Sequence, residues 1–184
     1  MATVKQLGLM IDISRCTGCK TCIVACRNFM GLLDHEKAMP NQIAYYLRVE
    51  SKREGTYPNI SVDSWVVPCQ HCTEPECVEA CPENAITKNE SGVVIIDQSL
   101  CTGCKECIDA CPYSVIMFDE DGAKAHKCDL CWELIQKGEV PVCAETCMTD
   151  AIMFGEVELL KMKAQAAGKS INTELTEQSI IYVK

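Results

Sequence analysis

Apolar residues along this chain come in short runs, each closed by turn-forming residues, and the pattern predicts many small elements. Val93 to Ile96 follows Asn89-Glu90-Ser91-Gly92, and Val115 to Phe118 precedes Asp119-Glu120-Asp121-Gly122. Both read as short hairpins, because a Gly- and Asx-rich turn beside a β-branched run reverses the chain. Tyr45 to Val49 is strand-like, Glu156 to Ala167 reads as a short helix stopped by Gly168, and Ile180 to Val183 as a closing strand. No run approaches the roughly 18 apolar residues of a membrane span, and Met1 to Met10 has neither a basic flank with a long apolar stretch nor a twin-Arg pair. The expectation is a soluble chain without an export address of its own.

Composition changes this picture at one residue type. The 184 residues fit one or two domains, but they include 16 Cys against three Phe, five Tyr and two Trp. Aromatic bulk is too scarce, and sulfur too abundant, for a core built on apolar packing alone. With 17 basic and 26 acidic side chains the net charge is −9, and no basic block suits a phosphate backbone, so nucleic acid is excluded as a partner.

The thiols fall into four quartets with none left over. Cys16, Cys19, Cys22 and Cys26 are spaced C-x2-C-x2-C-x3-C, and Cys101, Cys104, Cys107 and Cys111 repeat that spacing before Pro112. Cys69, Cys72, Cys77 and Cys81 have gaps of x2, x4 and x3 before Pro82; Cys128, Cys131, Cys143 and Cys147 have gaps of x2, x11 and x3. Repetition extends beyond the thiols. Asp12, Ser14 and Thr17-Gly18-Cys19-Lys20 recur as Asp97, Ser99 and Thr102-Gly103-Cys104-Lys105, while Ala85-Ile86-Thr87, Val115-Ile116-Met117 and Ala151-Ile152-Met153 each follow a quartet. A duplicated unit is predicted. Each final x3 step, such as Ile108-Asp109-Ala110, suits one helical turn; Pro82 and Pro112 would stop it, and Pro75 suits the first position of the turn carrying Cys77 and Cys81.

This spacing asks for iron and sulfur. A C-x2-C-x2-C loop wraps three corners of a cubane, and in two-cluster ferredoxins the fourth Cys of such a run ligates the other cluster. A helical turn of four residues rises about 6 Å and carries that Cys toward a neighbouring site. Zinc competes at the fourth quartet, whose C-x2-C and C-x3-C pairs also suit a zinc ribbon; the displaced fourth Cys of the first and third quartets makes a poor tetrahedral cage. Disulfides are disfavoured, because Cys two residues apart are badly placed to pair. Lys20, Arg27, Lys105 and Lys127 flank thiols and would raise the potential of a nearby cluster, or else are solvated surface charges. His71, between Cys69 and Cys72, reads as a loop hydrogen-bonding residue because Cys fills every corner; His35 and His126 read as structural or solvent-facing, and Trp132 as a shield over a cluster or plain packing. No nucleophile–base pair, phosphate loop or nucleotide fingerprint is present, so no catalytic residue is assigned and the chain is not expected to be catalytic alone.

With those residues in view, the sequence resembles the four-cluster ferredoxin-like iron–sulfur (beta) subunits of molybdopterin oxidoreductases, the group serving dimethyl sulfoxide, polysulfide, thiosulfate and arsenate reductases. The likeness runs from Met10 to Gly155. It rests on the order of the quartets, the x4 gap before Cys77, Cys111-Pro112-Tyr113, Glu54-Gly55-Thr56-Tyr57-Pro58-Asn59, Lys127-Cys128-Asp129-Leu130-Cys131, and Lys137-Gly138 with Pro141 before Cys143. Met148 stands where the family usually has Pro, and Leu134 where Arg is common; neither change removes a ligand.

The resemblance implies an α+β fold of duplicated bacterial-type ferredoxin-like domains, with short hairpins and helical turns around the clusters. Residues 1–27 with 125–155 would form one unit and 69–124 the other, with an insertion at 28–68 and a docking extension at 156–184. It also implies four 4Fe-4S clusters. Cys16, Cys19 and Cys22 with Cys147 would hold one, and Cys128, Cys131 and Cys143 with Cys26 its partner. Cys69, Cys72 and Cys77 would take Cys111, and Cys101, Cys104 and Cys107 would take Cys81. The implied partners are a large molybdenum or tungsten bis-pterin catalytic subunit and an integral membrane subunit that exchanges electrons with quinol. Two other readings use the same residues: a polyferredoxin serving a hydrogenase or formate-hydrogen-lyase assembly, and a zinc-stabilised interaction module. The compartment is cytoplasmic, or periplasmic by co-export with a partner.

Overall fold

Strand β1 (Leu7–Asp12) organises one end of the molecule. In the computed structural model, which describes residues 5–31, 46–173 and 179–184, it lies between β8 (Ile152–Glu156), antiparallel, and β9 (Ile180–Val183), parallel. Buried on both faces, β1 is apolar without alternation, as a covered central strand must be. Period two still sorts its side chains. Leu9 and Ile11, with Ile152, Ile180 and Tyr182, face the main core, while Met10, Ile181 and Val183 face helix α6 (Val157–Ala166). The helix answers with Val157, Leu160 and Ala164, at the spacing of one helical face, and Gly168 adopts a φ of 68° just past its end.

The remaining elements are small. β2 (Leu47–Thr56) and β3 (Asn59–Pro68) form a ten-residue antiparallel ladder whose turn contains a cis Tyr57–Pro58 peptide. Leu47, Val66 and Val67 bury its base, and residues 51–62 are exposed. Hairpins β4 (Ile86–Lys88) with β5 (Val94–Ile96), and β6 (Met117–Asp119) with β7 (Lys124–His126), are three residues a side. Helical segments α1 (Thr21–Phe29), α2 (Glu76–Glu79), α3 (Glu106–Asp109), α4 (Trp132–Gln136) and α5 (Val142–Glu145) sit beside the thiols. Mixed short helices and small sheets of this kind are consistent with a ferredoxin-like 4Fe-4S domain.

Both predicted hairpins, the α6 helix and strand β9 form where the sequence pattern puts them. Three details differ. Val115 and Ile116 are buried in the core ahead of the strand, which starts at Met117. Pro75 is the N-cap of α2, with an extended ψ of 105°, so the helix begins one residue later at Glu76. The β2 strand runs to Thr56, well past Val49. Tyr45, His35 and the rest of residues 32–45 lie outside the described residues, as do residues 1–4. No helix among the described residues is long and apolar enough to cross a membrane.

Candidate functional site

The sixteen thiols gather into four sets. Cys16, Cys19, Cys22 and Cys147 line a pocket walled by Val49, Val66 and Ile152. Cys69, Cys72, Cys77 and Cys111 line a second, beside Val94, Val115 and Ile116. A third is lined by Cys81, Cys101, Cys104 and Cys107 with Ile86, Ile96 and Ala125. The remaining four form the fourth set: Cys131 lies near enough for its charge to act on Cys26 and Cys143, and Cys26 and Cys143 near enough to act on Cys128. Charge also acts between neighbouring sets: Cys22 on Cys143, Cys69 on Cys128, and Cys107 on Cys77.

Local chain geometry shows why C-x2-C-x2-C loops curl around such pockets. Gly18 and Lys20 have φ of 68° and 65°, and Gly103 and Lys105 have φ of 75° and 69°. Left-handed residues at these positions turn successive N–H groups inward, making a concave nest for negative charge. Each loop is entered through the same turn. Asp12 Oδ1 accepts from the N–H and hydroxyl of Ser14 (3.1 and 2.7 Å), and Asp97 Oδ1 from those of Ser99 (2.8 and 2.6 Å). The Asp12 N–H donates to the Ala151 carbonyl and the Asp97 N–H to that of Ala85, both at 2.7 Å. Thus each three-Cys loop is tied to the segment following the Cys that completes its pocket. Backbone amides also reach sulfur directly: the Leu130 N–H lies 3.4 Å from Cys128 Sγ and the Ala151 N–H 3.2 Å from Cys147 Sγ.

Burial dominates the electrostatics. It pushes the Cys22, Cys77, Cys107 and Cys131 thiols up to about 11 and Cys26 to about 12, and holds Cys128 and Cys143 well above the ordinary value; neighbouring thiolates add to the rise at each but Cys131, where Asp129 does so. Exposed Cys19 moves the other way, lowered first by the Thr21 hydroxyl and then by the Thr21 N–H. Among the flanking cations, Lys20 and Lys105 are exposed, with Lys105 paired to Glu120 at 3.3 Å and lying over the Phe118 ring, and Arg27 is half-buried. Lys127 is buried; its ammonium donates to the Val94 and Cys128 carbonyls. His71 is fully buried and uses Nδ1 to accept from the Val94 N–H at 3.0 Å, a loop hydrogen bond. His126 is half-buried, stacked on Tyr46 and joined to its hydroxyl through Nδ1 at 3.2 Å, and Trp132 packs at the edge of the main core.

These sites suit a cluster better than a single ion. Each of the three delimited pockets is ringed by four thiols, whereas zinc draws its ligands to within about 2.3 Å of one point. Among the described residues no three His, Cys, Asp or Glu side chains stand close enough to hold one ion. A buried ammonium with only carbonyl partners also points to an anionic group nearby.

Comparison with known proteins agrees with this chemistry. Residues 61–157 match the family model of the 4Fe-4S dicluster domain, and residues 13–31 that of a 4Fe-4S binding domain. The sequence is 35% identical over 160 residues to YnfG of Escherichia coli, a probable anaerobic dimethyl sulfoxide reductase subunit, spanning 86% of this protein and 77% of that one. The B subunit of the anaerobic dimethyl sulfoxide reductase of the same species is 34% identical over 160 residues with the same coverage. Its namesake from Haemophilus influenzae is 32% identical over 170 residues, covering 87% of this protein and 78% of that one. The chain therefore belongs to the 4Fe-4S dicluster family, as an iron–sulfur electron-transfer subunit of the dimethyl sulfoxide reductase type.

Proposed function

We propose that this chain holds four 4Fe-4S clusters, one in each thiol set, and relays electrons between a large molybdenum or tungsten bis-pterin catalytic subunit and a quinol-linked membrane subunit. The observation that carries this reading is the order of the sets. Charge on Cys22 acts on Cys143, charge on Cys69 on Cys128, and charge on Cys107 on Cys77, and this proximity supports a single file from the Cys16 set through the Cys128 and Cys69 sets to the Cys101 set. At its two ends lie Cys19 and Cys104, the two exposed thiols of the sixteen. Electrons would enter and leave there, while the interior sites are shielded from water.

When bound, the clusters supply reversible one-electron transfer. The protein's part is to fix sites, exclude solvent and aim dipoles: apolar walls from Val49, Val66, Val94 and Ile152, and N–H groups of Leu130 and Ala151 pointed at sulfur. The matched turns at Asp12 and Asp97 support reading residues 1–27 with 125–155, and residues 69–124, as two copies of one ferredoxin-like unit. The exposed β2–β3 arm within the insertion and the 156–184 extension would serve docking.

Anaerobic metal analysis tests the cluster count. The expected result is about 16 iron and 16 sulfide per chain with broad visible absorbance; about four zinc and a colourless protein would leave the zinc module instead. Replacing Cys19 with Ala should remove or degrade one cluster and interrupt electron flow, while the catalytic partner still reacts with an artificial dye. Full iron retention in Cys19→Ala would contradict the ligand sets. The identity of the co-purifying large subunit separates a molybdopterin enzyme from a hydrogenase or formate-hydrogen-lyase assembly.

A further inference from the structure

Of the lysines and arginines among the described residues, one is buried, and it sits between two thiol sets. Lys127 is 5% exposed. Its ammonium donates to the Val94 carbonyl and, at 3.0 Å, to the Cys128 carbonyl, and the ion pairs formed among the described residues all use other cations. An ammonium withdrawn from water and given two neutral acceptors is costly unless negative charge lies close by. Val94 shows where that charge belongs. The residue lines the Cys69, Cys72, Cys77 and Cys111 pocket, its carbonyl holds Lys127, and its N–H holds His71, so one residue fixes both buried side chains against that site.

His71 contributes no second charge. It accepts at Nδ1, leaving the proton on Nε2, which is buried without a partner among the described residues. The two end sets have a different arrangement. Lys20 and Lys105 are exposed, where water and salt screen them, and Lys105 is already paired with Glu120.

We propose that the buried ammonium of Lys127 is the built-in counter-charge of the cluster held by Cys69, Cys72, Cys77 and Cys111, and that it selectively raises the reduction potential of that one cluster. Reduction adds one negative charge to the site and neither makes nor breaks a bond. A fixed cation in a low-dielectric wall favours the reduced form, while clusters farther away feel it less. The interior of the file would then hold an electron more readily at this site than elsewhere. The inference rests on the ligand sets proposed above.

Anaerobically purified full-length protein is poised at stepped potentials with dithionite and mediators, and the cluster signals are followed by paramagnetic resonance alongside iron content. Lys127→Gln keeps a donor for the two carbonyls but removes the charge; Lys127→Arg keeps the charge; Cys77→Ser marks which signal belongs to the site. Lys127→Gln should lower the midpoint of the signal that Cys77→Ser perturbs and leave the other three in place, and Lys127→Arg should hold it near the wild-type value. Loss of that cluster in Lys127→Gln with retention in Lys127→Arg would equally support a charge requirement. The proposal is overturned if Lys127→Gln keeps full iron and every midpoint, if Gln and Arg shift the midpoint alike, if both lose the cluster, or if the shifted signal is one that Cys77→Ser leaves untouched. Retention of all iron and all unaltered signals in Cys77→Ser would instead break the ligand assignment.

Discussion

Asp12 keeps a carboxylate inside the fold at 1% exposure, and two groups make that tolerable. Ser14 donates through its N–H and hydroxyl, and the Lys169 ammonium lies 2.9 Å from Oδ2. Lys169 also donates to Ser14 Oγ at 2.8 Å, so the end of the α6 region is fastened to the entry of the Cys16 loop. Asp97 makes the same turn at the Cys101 loop, but it is exposed and without an ion pair among the described residues. Replacing Lys169 with Met should therefore cost about 1.5–3 kcal/mol, the range for hydrogen bonds to charged groups, whereas Asp97→Asn should cost less. The pH dependence has a definite sign. Burial works to raise the Asp12 pKa, but the Ser14 and Lys169 hydrogen bonds and the Lys169 charge outweigh it, and the value falls below the ordinary one. The stabilisation is thus complete above the unfolded carboxyl value of about 3.9 and is lost as pH falls through the lower folded value. Chemical denaturation should show a constant gap between wild type and Lys169→Met at neutral pH, narrowing below about pH 4.

Strand β9 depends on a glycine in its neighbour. A Cβ at Gly8 would meet the Ser179 carbonyl oxygen at 1.9 Å and Val157 Cγ2 at 2.9 Å, and the first of these is backbone that cannot rotate away. Gly8→Ala should push β9 off β1 and cost about 1–3 kcal/mol, the range for overpacking. A lower melting temperature with faster proteolysis between Lys169 and Ile180 would show it. This strand also illustrates what a sequence can tell. Its apolar run from Ile180 to Val183 is legible, but its parallel pairing with Leu9 to Asp12 is fixed by contacts between opposite ends of the chain, which no local pattern encodes. The β2–β3 arm is legible at its base and not beyond Val49, because both faces of its outer part are solvated and carry no alternation. Cysteine spacing predicts the quartets because each loop's geometry is local. Lys127 cannot be told from Lys20 or Lys105 in the sequence, since its burial is imposed by Val94, distant along the chain.

At the scale of the whole molecule, the thiols stand in for the missing aromatic core. Cys22, Cys26, Cys69, Cys128 and Cys143 are members of the main apolar cluster, and Cys107 belongs to the second, with Cys77, Cys81, Cys101 and Cys111 against it. The hairpins around that second core are three residues a side, too short to persist alone. In the proposed sets, each cluster ties a three-Cys segment to a Cys remote from it, so binding free energy is folding free energy and also limits the unfolded chain, as a disulfide does. One region is built differently. The face shared by Met10, Val157, Leu160, Ala164, Ile181 and Val183 contains no cysteine. Removing the clusters with chelator and ferricyanide should therefore unfold the molecule unevenly. Amide hydrogens of β4 to β7 should exchange at nearly unstructured rates, and those of β1, β8, β9 and α6 should keep measurable protection. Hydrogen exchange with mass detection reads both regions in one sample. Full protection of β4 to β7 in iron-free protein would show that their small core stands without its inorganic centre. Restoring iron and sulfide must displace protons from the thiols, which in unstructured chain keep an ordinary pKa of about 8.5, so recovery should be faster at pH 9 than at pH 7.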